Sequence, residues 1–157
     1  KFDRVLVDVP CSGLGALRRR PEARWRKSPR DIADLLPLQR QLLEAACEVT
    51  RPGGVIAYVT CSPHAAETQN IVAEILETGK VHLLDTQSIL QSVALPSADG
   101  QSALAGDKAP GYRPQVRLKK SSSVRQEDIL GEASTTAQLW PHTHGTDAMF
   151  LALFRKN

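Results

Sequence analysis

Two stretches of this chain each bring a thiol to the end of an apolar run. In the first, Val5-Leu6-Val7 stops at Asp8-Val9-Pro10-Cys11-Ser12-Gly13-Leu14-Gly15; in the second, Val55-Ile56-Ala57-Tyr58-Val59 runs into Thr60-Cys61-Ser62-Pro63. A short apolar run cut off by turn residues is the pattern of a buried parallel strand, and chemistry in open α/β sheets sits at the carboxyl ends of such strands. Pro10 fixes φ, while Gly13 and Gly15 permit backbone angles and close approaches that a Cβ would forbid, so the first loop is shaped for a ligand. Ser62 and Pro63 predict a helix start directly after Cys61, and a helix dipole there would lower the thiol pKa. Two thiols at equivalent strand ends point to covalent catalysis, with Asp8 adding a carboxylate where apolar strands rarely carry one. The plainer alternatives are structural thiols and an acid that caps its own loop.

The elements that must hold these groups are legible from periodicity. After Ser28-Pro29, the residues Leu35, Leu38, Leu42, Ala46 and Val49 recur at helical spacing until Arg51-Pro52-Gly53-Gly54 stops them and turns the chain into the strand at 55–59. Beyond Cys61, Ala66, Ile71, Val72, Ile75 and Leu76 form a second apolar stripe that ends at Gly79, and Val81 to Leu84 reads as a further strand. Strand, helix and strand at this spacing predict a right-handed parallel unit with adjacent strands. Residues 91–136 are rich in Ser, Gly, Ala, Pro, Lys and Gln and predict a long loop or partly disordered insertion. Gln138 to Pro141, a turn over 142–147 and the apolar run Ala148 to Phe154 predict an antiparallel pair closing the sheet edge.

With 157 residues and 41% hydrophobic content, the chain can bury one core and encodes one domain unit. It has neither a membrane-length apolar run nor a signal peptide, which makes a cytoplasmic protein the expectation. Cys11, Cys47 and Cys61 are odd in number and widely spaced, so no disulfide framework or zinc site is encoded, and Cys47 reads as a small buried hydrophobe on its helix. His142 and His144 lack a third ligand nearby and read as part of a turn, not a metal site. The net charge of +3 is uneven: residues 1–30 carry nine Lys/Arg against three Asp/Glu, which is +6 and leaves −3 for the rest. Arg18, Arg19, Arg20, Arg24, Arg26, Lys27 and Arg30 follow the first thiol loop, placing a polyanion-binding stretch, or else merely a solvated basic face, beside the reactive groups. Trp25 and Trp140 read as packing residues. The chain opens almost inside a strand and its single methionine is Met149, as expected of a piece of a longer protein.

Asp8-Val9-Pro10-Cys11-Ser12-Gly13-Leu14-Gly15 and Thr60-Cys61-Ser62, with Glu67 following, resemble the paired signature motifs of the Sun/Fmu family of RNA cytosine-C5 methyltransferases. Leu139-Trp140-Pro141-His142 and Asp147-Ala148-Met149-Phe150 are similar to that family's last motif, with Ala148-Met149 where a Gly-Phe pair is common and Thr68-Gln69 where Asn-Glu is usual. The resemblance implies a partial Rossmann-like class I methyltransferase sheet with helices on both faces. It implies Cys61 as nucleophile on cytosine C6, Cys11 as the thiol of product release, Asp8 as an acid near the methyl donor and base, and a flipped or single-stranded target. The implied donor is S-adenosylmethionine, with Asp8 and Pro10 as its remaining contacts here because the family's glycine-rich donor loop would lie upstream of Lys1. On this reading the fragment alone is inactive, its partner is RNA, with ribosomal RNA the expected target, and the uncovered strand at 4–8 invites self-association.

Other readings fail at definite points. A tyrosine-phosphatase loop, C-x5-R, would need arginine at Leu17, one place before Arg18. Cys61 and His64 lie too close along the chain for a hydrolase dyad, whose partners meet across the fold. Amino-group methyltransferases carry an aromatic residue where Cys11 stands. The alternative that survives is a non-catalytic RNA-binding fragment.

Overall fold

A computed structural model describes residues 1–94 and 136–157. In chain order the elements are β1 (Phe2–Asp8), α1 (Pro29–Val49), β2 (Thr50–Thr60), α2 (Gln69–Glu77), β3 (Val81–Leu83), α3 (Thr86–Ala94), β4 (Ala137–Gln138), α4 (Pro141–His144) and β5 (Phe150–Lys156). Short 3-10 turns lie at Leu14–Ala16, Pro21–Arg26 and Ala65–Glu67. The expected insertion at 91–136 lies outside the described residues except at its ends, where α3 continues the helix through Ala94 and Thr136 is buried ahead of β4.

The sheet has the order β1-β2-β5-β3, with β4 also paired to β5. β1 and β2 run parallel in the register Val5↔Ile56 to Asp8↔Val59, as the strand-helix-strand spacing predicts. β5 is antiparallel to β2 along one edge, and its other edge is shared by β3 and β4. The antiparallel pair expected at the sheet edge therefore exists, but β5 sits inside the sheet. Phe150, Ala152 and Phe154 complete the core beside Thr60, Tyr58 and Ile56, and both edges of β5 are hydrogen-bonded.

Helix α1 starts where Ser28 and Pro29 predict, with the Ser28 backbone N–H donating to the Asp31 carboxylate at 2.6 Å and Pro29 at the first helical position. Its buried residues Leu43, Ala46 and Cys47 and the α2 residues Ile71, Val72 and Ile75 pack on the buried face of β2 and β5. Arg40 and Glu74 form an ion pair that ties the two helices together. Pro52-Gly53-Gly54, expected as a turn before the strand, instead lies inside β2 as a bulge: Phe2 pairs with Thr50 and Arg4 with Val55. Among the described residues β1 is an edge strand, so the buried strand expected there is buried only at Val7, while Phe2 and Leu6 are 63% and 70% exposed.

Candidate active site

The parallel pairing of β1 and β2 delivers both thiols to one end of the sheet. Val9 N–H donates to the Val59 carbonyl at 3.1 Å, extending the ladder past Asp8, and the loops that follow the two strands stay in contact. The Cys11 and Cys61 Sγ atoms lie 3.1 Å apart, within hydrogen-bond reach, and both are half-buried. Gly15 locks this approach. Its N–H donates to the Cys61 carbonyl and its carbonyl accepts from Ala148 N–H, each at 2.9 Å. A Cβ on Gly15 would lie 2.0 Å from the Ala148 carbonyl oxygen and 2.7 Å from that of Cys61, so the two thiol loops and the loop before β5 meet only because residue 15 has no side chain.

Beneath the thiols lies the carboxylate of Glu67, fully buried. Its Oε1 accepts from Ser12 N–H at 2.7 Å and Gln39 Nε2 at 3.1 Å, and its Oε2 from the Ser12 hydroxyl at 2.5 Å and the Ser62 hydroxyl at 2.6 Å. Gln39 Nε2 also donates to the Pro10 carbonyl at 2.9 Å, and the Tyr58 hydroxyl donates to the Glu67 carbonyl at 2.8 Å. Burial alone would push the Glu67 carboxyl up, but the donors from Ser12, Ser62 and Gln39 together hold it below the usual carboxylate range.

The helix expected to begin at Ser62 begins at Gln69, after the 3-10 turn Ala65–Glu67. Ser62 donates its hydroxyl to Glu67 and accepts from His64 N–H at 3.1 Å, ahead of the 3-10 turn, so no α-helix starts directly after Cys61 to set its dipole there. Burial and the neighbouring Cys11 thiol instead push the Cys61 pKa up to about 12, with the Asp8 charge contributing in the same direction. Asp8 itself is exposed at the end of β1 and makes no side-chain hydrogen bond or ion pair among the described residues. Pro10 is exposed beside it.

The basic stretch divides in two. Arg18 and Arg19 pair with Asp147, Arg19 Nε donating to Oδ2 at 2.7 Å and Arg18 Nη2 to Oδ1 at 3.3 Å; the Arg19 guanidinium is the main reason the Asp147 carboxyl lies below its usual range. These two arginines anchor the first loop to the segment before β5. Arg20, Arg24, Arg26 and Lys27 are exposed and have no ion-pair partner among the described residues. Trp25, expected as a packing residue, is 83% exposed with the Arg24 guanidinium 5.5 Å from its ring centroid, because the 3-10 turn Pro21–Arg26 buries none of its residues.

His144 is buried and its Nδ1 accepts from Trp140 N–H at 2.8 Å, while the ring of the exposed His142 lies 6.2 Å from that of Trp140; both lie in the short helix α4, where the sequence predicts a turn. Cys47 is a fully buried thiol, pushed up by burial.

The sequence puts Cys11, Cys61 and Asp8 at strand ends and the structure sets those ends side by side, but what holds them has little local signal. Glu67 is visible in the sequence only as part of a motif, and nothing local marks the contacts that Ser12, Ser62, Tyr58 and Asp147 make across the fold. A signal existed at Gln39: it lies on the same helical stripe as Leu35, Leu42 and Leu43, and a polar residue on an apolar stripe needs a buried partner.

The family model described as 16S rRNA methyltransferase RsmB/F matches residues 1–155. A putative methyltransferase of Mycobacterium tuberculosis is 50% identical over 155 residues, covering 99% of this chain and 26% of that protein. The ribosomal RNA small subunit methyltransferase B of Erwinia tasmaniensis is 38% identical over 103 residues, covering 64% of the chain and 24% of that protein. A solved methyltransferase homologue from Pyrococcus horikoshii superimposes with a TM-score of 0.60 at 26% identity, covering 100% of this chain and 40% of that one. The chain thus spans about a quarter of the length of the curated relatives it matches.

Proposed function

Because this chain belongs to the RsmB/F family of 16S rRNA methyltransferases, we propose that it carries the two thiols of a covalent cytosine-C5 methylation of ribosomal RNA, with S-adenosylmethionine as donor. The observation that carries this reading is the 3.1 Å approach of Cys11 and Cys61 at the ends of adjacent parallel strands. Cytosine C5 is a weak nucleophile. Addition of the Cys61 sulfur to C6 turns the ring into an enamine whose C5 is nucleophilic, and removal of the C5 proton after methylation restores the C5–C6 double bond and expels the Cys61 thiolate. S-adenosylmethionine, when bound, supplies an electrophilic methyl group on a positively charged sulfur.

Asp8 and Pro10 fit a place beside that donor and the target base, since the Asp8 carboxylate is exposed at the strand end and makes no side-chain hydrogen bond or ion pair among the described residues. A carboxylate there can accept hydrogen bonds from the polar edge of a base and favour the adduct. Cys61 attacks as the thiolate, so its proton has to leave as the base arrives, and the Cys11 sulfur 3.1 Å away is within hydrogen-bond reach of the attacking sulfur. A cytosine inside a helix cannot reach this site, so the target is flipped or unpaired. The bulk of the donor would be held by residues outside this chain, and residues 1–157 alone are expected not to transfer methyl groups.

The test uses full-length protein, small-subunit ribosomal RNA and methyl-labelled S-adenosylmethionine, followed by nucleoside analysis. Label in 5-methylcytidine supports the reading, and label on a ribose or an exocyclic nitrogen contradicts it. A non-catalytic RNA-binding role is favoured by the exposed Arg20, Arg24, Arg26 and Lys27; it leaves the thiol pair unexplained and predicts RNA binding with no label transferred.

A further inference from the structure

A carboxylate offers about four lone-pair positions, and at Glu67 four donors fill them. No cation takes part among the described residues, although burying a carboxylate without one carries a large desolvation cost. A merely structural tie between loops could use a neutral amide or hydroxyl at lower cost. What distinguishes this node is which residues it gathers. Ser12 and Ser62 are the residues immediately after the two thiols, and Gln39, which donates to Glu67, also grips the carbonyl of Pro10, immediately before Cys11. Cys11 is therefore held on both sides and Cys61 on its following side by groups that converge on one side chain, while Tyr58 fixes the Glu67 backbone from β2. Charge-assisted hydrogen bonds of this kind are shorter and stronger than neutral ones, which makes the node stiff.

We propose that Glu67 is a positioning residue: its carboxylate draws the residues that follow Cys11 and Cys61 onto one point and so sets the separation of the two sulfurs. The consequence for methyl transfer rests on the functional reading above, whereas the geometric part stands without it. A thiol displaced by an ångström from its attack line loses about 10²-fold in rate.

The test needs a ruler for the sulfur pair that is independent of catalysis, and phenylarsine oxide is one. It gives up its oxygen as water and forms two As–S bonds in place of two S–H bonds, so it binds tightly only where both sulfurs reach one arsenic. In the full-length protein, with Cys11→Ala as the blank, Glu67→Gln is expected to weaken arsenical binding by about 10²-fold, as the second bond loses its effective-concentration advantage. Alkylation by iodoacetamide persists at both thiols, and at Cys61 becomes faster as the Cys11 thiol moves away, which shows that neither thiol has been lost or buried. The double variant Ser12→Ala/Ser62→Ala, which keeps the Ser12 N–H bond, is expected to give a smaller loss in the same direction and serves if Glu67→Gln does not fold. In turnover, Glu67→Gln lowers kcat for methyl transfer and leaves the KM for RNA in place. Arsenical binding by both variants at the unsubstituted level overturns the proposal whatever happens to turnover. A clear arsenical difference in a protein that transfers no methyl group supports the positioning role and overturns the functional reading instead.

Discussion

The thiol loops and the basic stretch that follows them are neighbours in sequence and opposite in construction. Around Cys11 and Cys61, a buried carboxylate, a glycine with no room for a Cβ and two backbone bonds through Gly15 hold each group from several sides. From Arg20 to Lys27 the chain makes a 3-10 turn with no buried residue, and its cations and Trp25 face solvent. The first construction suits a reaction in which sulfur must meet a ring carbon along one line. The second suits a polyanion, whose phosphates are neutralised wherever long cationic side chains reach them. Arg18 and Arg19 mark the border, because Asp147 recruits them to the rigid side.

The largest expected effect comes from filling the rigid side. Gly15→Ala should cost about 3 kcal/mol or more of stability, since the added methyl meets backbone atoms that cannot swing away. Gly13→Ala, at φ +73 with nothing within 4 Å, should cost only about 1–2 kcal/mol from its left-handed backbone. Denaturant melts of the two variants check this, and equal losses would show that the crowding at Gly15 is not what locks the loops.

On the open side, replacing Arg20, Arg24, Arg26 and Lys27 with Ala should weaken RNA binding and flatten its salt dependence by roughly 0.7–0.9 in log–log slope for each phosphate that is no longer neutralised. Arg18→Ala and Arg19→Ala should change that slope less, since their partner is Asp147. Filter binding across a salt series decides between them, and an unchanged slope in the fourfold variant makes the stretch a solvated face.

The pH behaviour of Cys61 sharpens the contrast further. Its folded-state pKa is raised from 9.0 to about 12, so the folded protein keeps a proton that the unfolded chain loses. The stability linked to this group is unaffected below pH 9 and falls as pH rises from there toward 12. Alkylation of Cys61 in the free protein should accordingly keep accelerating above pH 9, followed site by site by mass spectrometry. A plateau near neutral pH would restore the activated thiol that the sequence suggested.

The smallest effect is expected at the far edge of the sheet. Among the described residues β1 pairs with β2 alone and leaves Phe2 and Leu6 exposed, so residues 1–157 alone should self-associate through 2–8, and Val5→Pro should reduce this in light scattering. A monomer before and after that change removes the edge from the account.

The sequence made the order of elements and the meeting of the two thiols legible because hydrophobic runs and turn residues are local signals. Val55 to Val59 before Thr60-Cys61 announces a strand end without knowledge of any partner. The Glu67 node was hidden because its donors come from 12, 39 and 62, and no local pattern states that a serine hydroxyl will face a carboxylate from another loop. The same blindness explains the misplaced helix start: Ser62-Pro63 has the chemistry of a cap, and the pull of Glu67 on the Ser62 hydroxyl overrode it. Trp25 failed in the other direction, since an aromatic residue is expected to be buried and nothing nearby in sequence shows that its turn stands clear of the core.

The central claim is that Cys61 attacks and Cys11 serves release, and trapping tests it most directly. Full-length Cys11→Ala, incubated with ribosomal RNA and S-adenosylmethionine, is predicted to accumulate a protein–RNA adduct that survives denaturing electrophoresis, while Cys11→Ala/Cys61→Ala accumulates none. An adduct formed by Cys61→Ala, or retained by the double variant, would contradict the assignment.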